Sequence, residues 1–407
     1  MLSTGIVAEY NPFHNGHKLH INKAKKLTQT ENIIIIMSGN FTQRGDTAII
    51  NKYARTLSAL KNGASLVIEL PCVFASAGAE FFASAAVKLL DDSGICSYIA
   101  FGAESDDTEL LKKNALALND ESEEFKKNMA FFLKDGLSYP LARQKALEKE
   151  GIDSSFISSP NNILASEYMR AILRLNSKIQ PVAIKREGND YNQNSLSGCL
   201  SSATAIRKEI FEGNTENIKN TVPENVFEII KKEIENGKAP VSLNLLSDIL
   251  NYRLRMLSAN DLTKYHGINE GLENRILSSL NENYNIYDII SAVKSKRYAF
   301  SRIQRSMLHI CLDIKNEDLM RYKDNGYSPY IRVLGFRKDK KDLLGRLTKN
   351  SKIPVIVNIK NAEKELNSYG REILEKEVFA DNIYSILYPN KKFSFPNQDY
   401  TTPVVIL

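Results

Sequence analysis

Four consecutive isoleucines, Ile33 to Ile36, set between Asn32 and Met37, constrain this chain more than any other feature. A strand with one wet face alternates apolar and polar residues, whereas one that is apolar at every position has both faces covered. Covering both faces of a sheet takes helices on each side, so short strands should alternate with helices around this run. They do. Strand patterns at Thr4–Glu9, Asn32–Met37, Leu66–Leu70, Tyr98–Phe101 and Ile179–Ile184 interleave with helical patterns at His17–Leu27, Asn51–Lys61, Ala77–Leu90 and Asn162–Leu175. Charged helices between Thr108 and Gly151 read as an insertion between the fourth and fifth strands. The expected fold class is α/β: a Rossmann-like parallel sheet over residues 1–200, with a helical insertion at about 108–160.

The stretch Glu187–Gly198 is rich in Asn, Ser and Gly and reads as a loop. Beyond it the patterns turn helical, predicting a mainly helical, partly basic second domain over 201–340. A small mixed α/β segment follows over 341–407, with a short strand at Pro354–Asn358 and a charged helix near Ala362–Val378; the sequence assigns it no role.

Charge sharpens this division. The chain carries 54 Lys+Arg against 48 Asp+Glu, a net of +6. Residues 290–350 alone hold 15 against 6, which leaves the remainder slightly acidic. A basic block of this kind suits a polyanion, nucleic acid above all, or is a solvated basic face. No window reaches the ~18 uninterrupted apolar residues of a membrane helix, so a membrane partner is not expected. The N-terminus reads as a buried strand rather than a secretory signal. The cysteines Cys72, Cys96, Cys199 and Cys311 are scattered without a CxxC pair, which fits a reducing cytoplasm. Oligomeric state leaves no signature.

The chemistry concentrates where the first strand meets the first helix, at Asn11-Pro12-Phe13-His14-Asn15-Gly16-His17. Gly16 lets backbone approach a ligand, and the helix start aims free N–H groups and a positive dipole end at an anion. His14 and His17 can donate hydrogen bonds to phosphate oxygens as negative charge builds; Lys18 lies in the next turn. A second helix start, Ser201-Ser202-Ala203-Thr204-Ala205-Ile206-Arg207, offers hydroxyls and N–H groups to phosphate oxygens with Arg207 offsetting charge, or is a simple N-cap. Arg44, after the second strand, is placed to reach substrate or RNA, or is a solvated loop arginine. His17 and His20 share a helical face, but with no cysteine or further histidine beside them no protein-held metal is expected.

His14-Asn15-Gly16-His17 resembles the HxGH signature of the nucleotidylyltransferase superfamily, and Ser201–Arg207 is similar to its second motif. The likeness narrows to the bacterial tRNA(Met) cytidine acetate ligase family. It rests on Gly5–His17, Ser38-Gly39-Asn40-Phe41-Thr42-Gln43-Arg44-Gly45, Phe101-Gly102-Ala103-Glu104, Ser159–Ala165 and Ser295-Lys296-Arg297-Tyr298 with Ser301–Arg305. The resemblance implies that ATP and acetate give acetyl-adenylate, whose acetyl group passes to the wobble cytidine of elongator tRNA(Met), with Mg2+ carried by the triphosphate. It places nucleotide contacts on Val7, Ala8, Glu9, Tyr10, Asn11, Pro12, Phe13, His14, Asn15, Gly16, His17, Lys18, Leu19 and His20, and on Gly102, Asn162 and Arg186. Ser202 and Arg207 join them through the second motif. His14 and His17 are the expected catalytic pair. For RNA the candidates are Arg44, Lys294, Lys296, Arg297, Arg302 and Arg305, set beside Tyr298 and Phe300. Two rivals are a transferase acting on a small phosphorylated metabolite and a non-catalytic RNA-binding protein. No side chain presents itself as the base for the cytidine amine.

Overall fold

The computed structural model describes residues 2–104, 108–119, 122–151, 159–186, 195–196 and 198–407. Its eight strands are β1 (Ser3–Ala8), β2 (Asn32–Ser38), β3 (Leu66–Leu70), β4 (Tyr98–Ala103), β5 (Gln180–Lys185), β6 (Ile331–Phe336), β7 (Val355–Ile356) and β8 (Val405–Ile406). They form one sheet in the order β5-β4-β1-β2-β3-β6-β7, with β8 also against β6. The first five are parallel, β6 runs antiparallel to β3, and β7 and β8 lie parallel to β6. The strand order reverses at β1, which has β2 on one side and β4 on the other. Ligands bind open α/β sheets at such a switch, outside the C-terminal ends of the two strands.

The isoleucine run behaves as its pattern requires. Every residue of β2 is buried. Because side chains alternate across a strand, Ile34 and Ile36 enter one core while Ile33, Ile35 and Met37 enter the other. Helices Ala203–Phe211 and Glu224–Glu235 help cover the second core, through Ile206, Ile210, Val226 and Ile230. Ser247–Met256, Ile286–Val293 and Phe300–Leu312 pack into the first. The helical second region thus closes both faces of the sheet. The insertion helices, Thr108–Asn119, Glu123–Lys134 and Tyr139–Lys149, enclose a small core of their own around Leu118, Phe125 and Met129.

The last residues extend the central sheet: β6 precedes position 341, β7 and β8 follow it, and all three continue the layer begun by β3. The strand expected at Pro354–Asn358 shortens to two paired residues, and the helix expected near Ala362–Val378 splits. Its longer part starts at Ser368, where Asn367 caps the N–H of Gly370 at 2.8 Å. Of the loop expected at Glu187–Gly198, only 195, 196 and 198 fall within the described residues.

A buried ionic cluster fixes this extension. The Lys52 ammonium touches Glu69 at 2.8 Å, Asp399 at 2.9 Å and Asp381. Arg332 reaches Glu69 and Asp399, each at 2.8 Å. Tyr53 donates to Asp399 at 2.7 Å, and Glu377 accepts the N–H of Cys72. Two cations thus face four carboxyls. Burial raises the Glu377 and Asp381 carboxyls well above the usual range, aided by Glu69 and Asp399 respectively; Arg332 and Lys52 outweigh burial at Asp399 and hold it well below. Glu69, Glu377 and Asp381 lie close enough to share an ion, but Lys52 already supplies positive charge there.

Candidate active site

β1 delivers the chain to the switch point, and the loop after it turns into the helix Asn15–Thr28 with His14 as N-cap. The cap is reciprocal. Gly16 N–H donates to His14 Nδ1 at 3.1 Å, and His14 N–H donates to His17 Nδ1 at 3.2 Å. Each Nδ1 is therefore an acceptor, and this bonding pattern assigns the proton of each neutral ring to Nε2. The rings stack with centroids 3.7 Å apart; Tyr10 packs edge-on against His17 and Phe13 lies tilted against it. Burial, then Arg186 and Arg207, holds His14 down at about 3; burial, His14 and Arg186 hold His17 well below its ordinary value. Two neutral imidazoles thus present Nε2–H donors as one array beside a helix N-terminus, a preorganised site for developing phosphate charge.

Two arginines bracket the pair. Arg207, on the helix capped by Ser202, donates to the carbonyl of Asn11 at 2.8 Å. Arg186 leaves the end of β5, its N–H on Ala103 O at 3.0 Å, and lies along Gly102, where a Cβ would meet its Cγ at 3.4 Å. His20 completes this side; burial and Arg186 lower it to about 4, and its Nε2 is buried without a hydrogen-bond partner among the described residues.

Other expected contacts serve the scaffold. Asn11 accepts Ile49 N–H at 2.8 Å and donates to Thr47 O at 3.3 Å, pinning two loops together. Asn15 donates to Cys199 O and Asn220 O, clasping the second half to the first helix. Asn162 accepts Glu104 N–H at 2.9 Å, and Asn161 holds the Glu104 carboxylate at 2.8 Å. Tyr10 and Phe13 are core residues, Val7 and Ala8 line the strand end, and Leu19 lies half-buried on the helix. Lys18 is exposed and lines a 660 Å³ groove with Leu57, Lys61 and Lys232.

Arg55 carried no expectation, yet it is fully buried and organises the sheet edge. It donates to Glu9 O at 2.6 Å, Ser38 O at 3.0 Å and Gly39 O, capping the ends of β1 and β2. The readable signal is a cation in the first turns of a helix, at Lys52 and Arg55, where acids are usual. A buried partner resolves the anomaly in each case.

The basic block divides in the fold. Arg332 is internal, Arg321 pairs with Glu372 and Lys323 with Glu80. Arg302 donates to Gly267 O at 2.9 Å and sits 5.3 Å from the ring centre of buried Tyr298, while Arg297 pairs with Glu270. Lys294 and Lys296 are exposed. Arg305 lies close enough to Arg44 for the two charges to repel, and burial lowers Arg305 to about 10. Gly45 fixes that meeting: at φ 78° it lies so close that a Cβ would stand 2.6 Å from the Arg305 backbone.

The chain is similar to known proteins over its whole length. The family described as HIGH Nucleotidyl Transferase matches residues 1–399. A tRNA(Met) cytidine acetate ligase of Halothermothrix orenii is 40% identical over 98% of both chains, and one of Acetivibrio thermocellus is 37% identical over 99% of both. The crystal structure of Thermotoga maritima TmcAL, apo form I, superposes over 100% of both chains with a TM-score of 0.96 at 34% identity. A second form of that protein, bound with alpha-thio ATP, matches over the same full lengths at a TM-score of 0.93. Full-length similarity on this scale, on a fold whose switch point carries the histidine pair, shows that the chain belongs to the tRNA(Met) cytidine acetate ligase family of HIGH nucleotidyl transferases.

Proposed function

We propose that this chain is an ATP-dependent ligase that activates acetate as acetyl-adenylate and acetylates the exocyclic amine of the wobble cytidine of elongator tRNA(Met). The paired Nε2–H donors of His14 and His17, fixed at the switch point between two arginines, carry this reading. Acetate oxygen attacks the α-phosphorus, pyrophosphate leaves, and the histidine donors take up the charge that builds on the phosphate oxygens. Arg186 and Arg207 offset the polyphosphate charge. Magnesium would neutralise triphosphate charge from the substrate side, which needs no dedicated carboxylate cage in the protein. Among the described residues no helix is long and apolar enough to cross a membrane, and a tRNA substrate supports reading the reaction as cytoplasmic.

The acceptor RNA would approach from the β2 side, where Arg44 and Arg305 meet. Both side chains carry positive charge that an RNA phosphate would offset. Radiolabelled acetate with ATP, magnesium and bulk bacterial tRNA should place label in tRNA as N4-acetylcytidine. Label found only in a small-molecule product would move the reading to a metabolite transferase. In the same assay Arg305→Ala should cut acetyl transfer at least tenfold and flatten its salt dependence, with acetate-dependent ATP–pyrophosphate exchange kept. Equal loss of both activities would remove Arg305 from the RNA surface.

A further inference from the structure

We infer that the Asp46 carboxylate is the general base that removes the proton from the attacking cytidine amine, an inference that rests on the ligase reading above. The nucleotide side of the crevice is furnished by Gly102, Arg186 and the histidine pair, so the acyl acceptor enters across the opposite lip, over the ends of β1, β2 and β3. That lip is a stiff hairpin. Phe41 bridges Thr47, Thr42 N–H bonds Asp46 O at 2.9 Å, and Gly45 N–H bonds Thr42 O at 2.9 Å. Asn11 ties the hairpin's end to the histidine loop, and the Phe300–Leu312 helix backs it at Gly45.

The hairpin carries the Asp46 carboxylate, within electrostatic reach of the Arg207 that bonds the histidine loop. Asp46 Oδ1 accepts Thr47 N–H at 2.8 Å and faces the Tyr287 hydroxyl at 3.5 Å, which fixes the carboxyl plane. Among the described residues Oδ2 has no hydrogen-bond partner, and the side chain is only half-buried. Arg207, which bonds the histidine loop, lies within electrostatic reach, as do Glu9 and Tyr287. Glu9 is the carboxylate that acts on Asp46 electrostatically, and its Oε1 is engaged by Gln43 N–H at 2.8 Å. Burial raises the Asp46 carboxyl and Glu9 adds to the rise, while Arg207, the Thr47 N–H and Tyr287 oppose it. A carboxylate whose pKa is raised is a better proton acceptor than an ordinary one.

The balance of the step is simple. The cytidine nitrogen attacks the acyl carbon of acetyl-adenylate, the new C–N bond forms as the C–O bond to phosphate breaks, and AMP leaves with the electron pair. One amine proton passes to Asp46 Oδ2 and then to solvent.

Asp46→Asn keeps the Oδ1 acceptor for Thr47 and removes the base. Acetate-dependent ATP–pyrophosphate exchange should stay within about threefold of wild type, while single-turnover transfer to tRNA should fall about 10²–10⁴-fold, the usual contribution of a general base. The wild-type transfer rate should drop on the acid side as Asp46 protonates, and this limb should vanish in Asp46→Asn. Asp46→Glu, which restores a carboxylate, should recover part of the rate. Wild-type transfer by Asp46→Asn, or loss of exchange in step with transfer, would overturn the inference and leave the ligase reading intact. A wild-type protein that forms adenylate but never acetylcytidine would overturn both.

Discussion

His17→Ala should lower acetate-dependent ATP–pyrophosphate exchange by about 10²–10³-fold, the typical effect of deleting one preorganised donor from a site of developing charge. The effect should fall on kcat more than on KM for ATP, because the donor matters most when charge has built on the phosphate. Gly16→Ala should do similar harm without removing a donor. Its Cβ would stand 2.9 Å from His14 Cε1 and 3.0 Å from Nδ1, so the ring must swing off its backbone bond. Wild-type exchange in Gly16→Ala would mean that the orientation of His14 is not what the site depends on. The two variants separate the presence of a donor from its aim.

Lys52→Met should destabilise the protein by about 3–5 kcal/mol, the usual result of removing one member of a buried ion network. Glu69, Asp381 and Asp399 would then face one another with Arg332 as their remaining cation. The urea midpoint checks the magnitude, and limited proteolysis should show residues beyond 340 released first. A loss below about 1 kcal/mol would mean that the carboxyls neutralise themselves by taking up protons. The pH dependence has two limbs of opposite sign. Asp399 is depressed, so its contribution is present above the ordinary carboxylate range and is lost as pH falls through its lowered value. Glu377 and Asp381 are raised, so theirs is present at low pH and is lost as pH rises through their raised values.

What the sequence disclosed depended on how local the signal was. The isoleucine run and the strand–loop–helix around His14 are short-range patterns, and both appear in the fold where the pattern sets them. β7 falls inside the strand expected at Pro354–Asn358, whereas β8 has no readable signal because a two-residue strand has no periodicity. Their membership in the sheet is decided by pairing with β6, far along the chain. The basic block misled in part for a similar reason: composition counts Arg332 beside Lys294, but only contact distinguishes a buried ion pair from an open surface. Glu69 held a usable clue. An acid in the otherwise apolar run Leu66-Val67-Ile68-Glu69-Leu70 demands a cation nearby, and Lys52 and Arg332 meet that demand.

The pairing of Lys52 with Asp399 also carries a consequence for biosynthesis. Lys52 meets its first partner, Glu69, soon after it is synthesised, whereas Asp381 and Asp399 follow only 329 and 347 residues later. A nascent chain that ends between Glu69 and Asp381 carries the His14–His17 loop on a sheet that still lacks β8 and two acids of the cluster. Until those two acids arrive, the histidine loop sits on a sheet whose ionic foundation is incomplete.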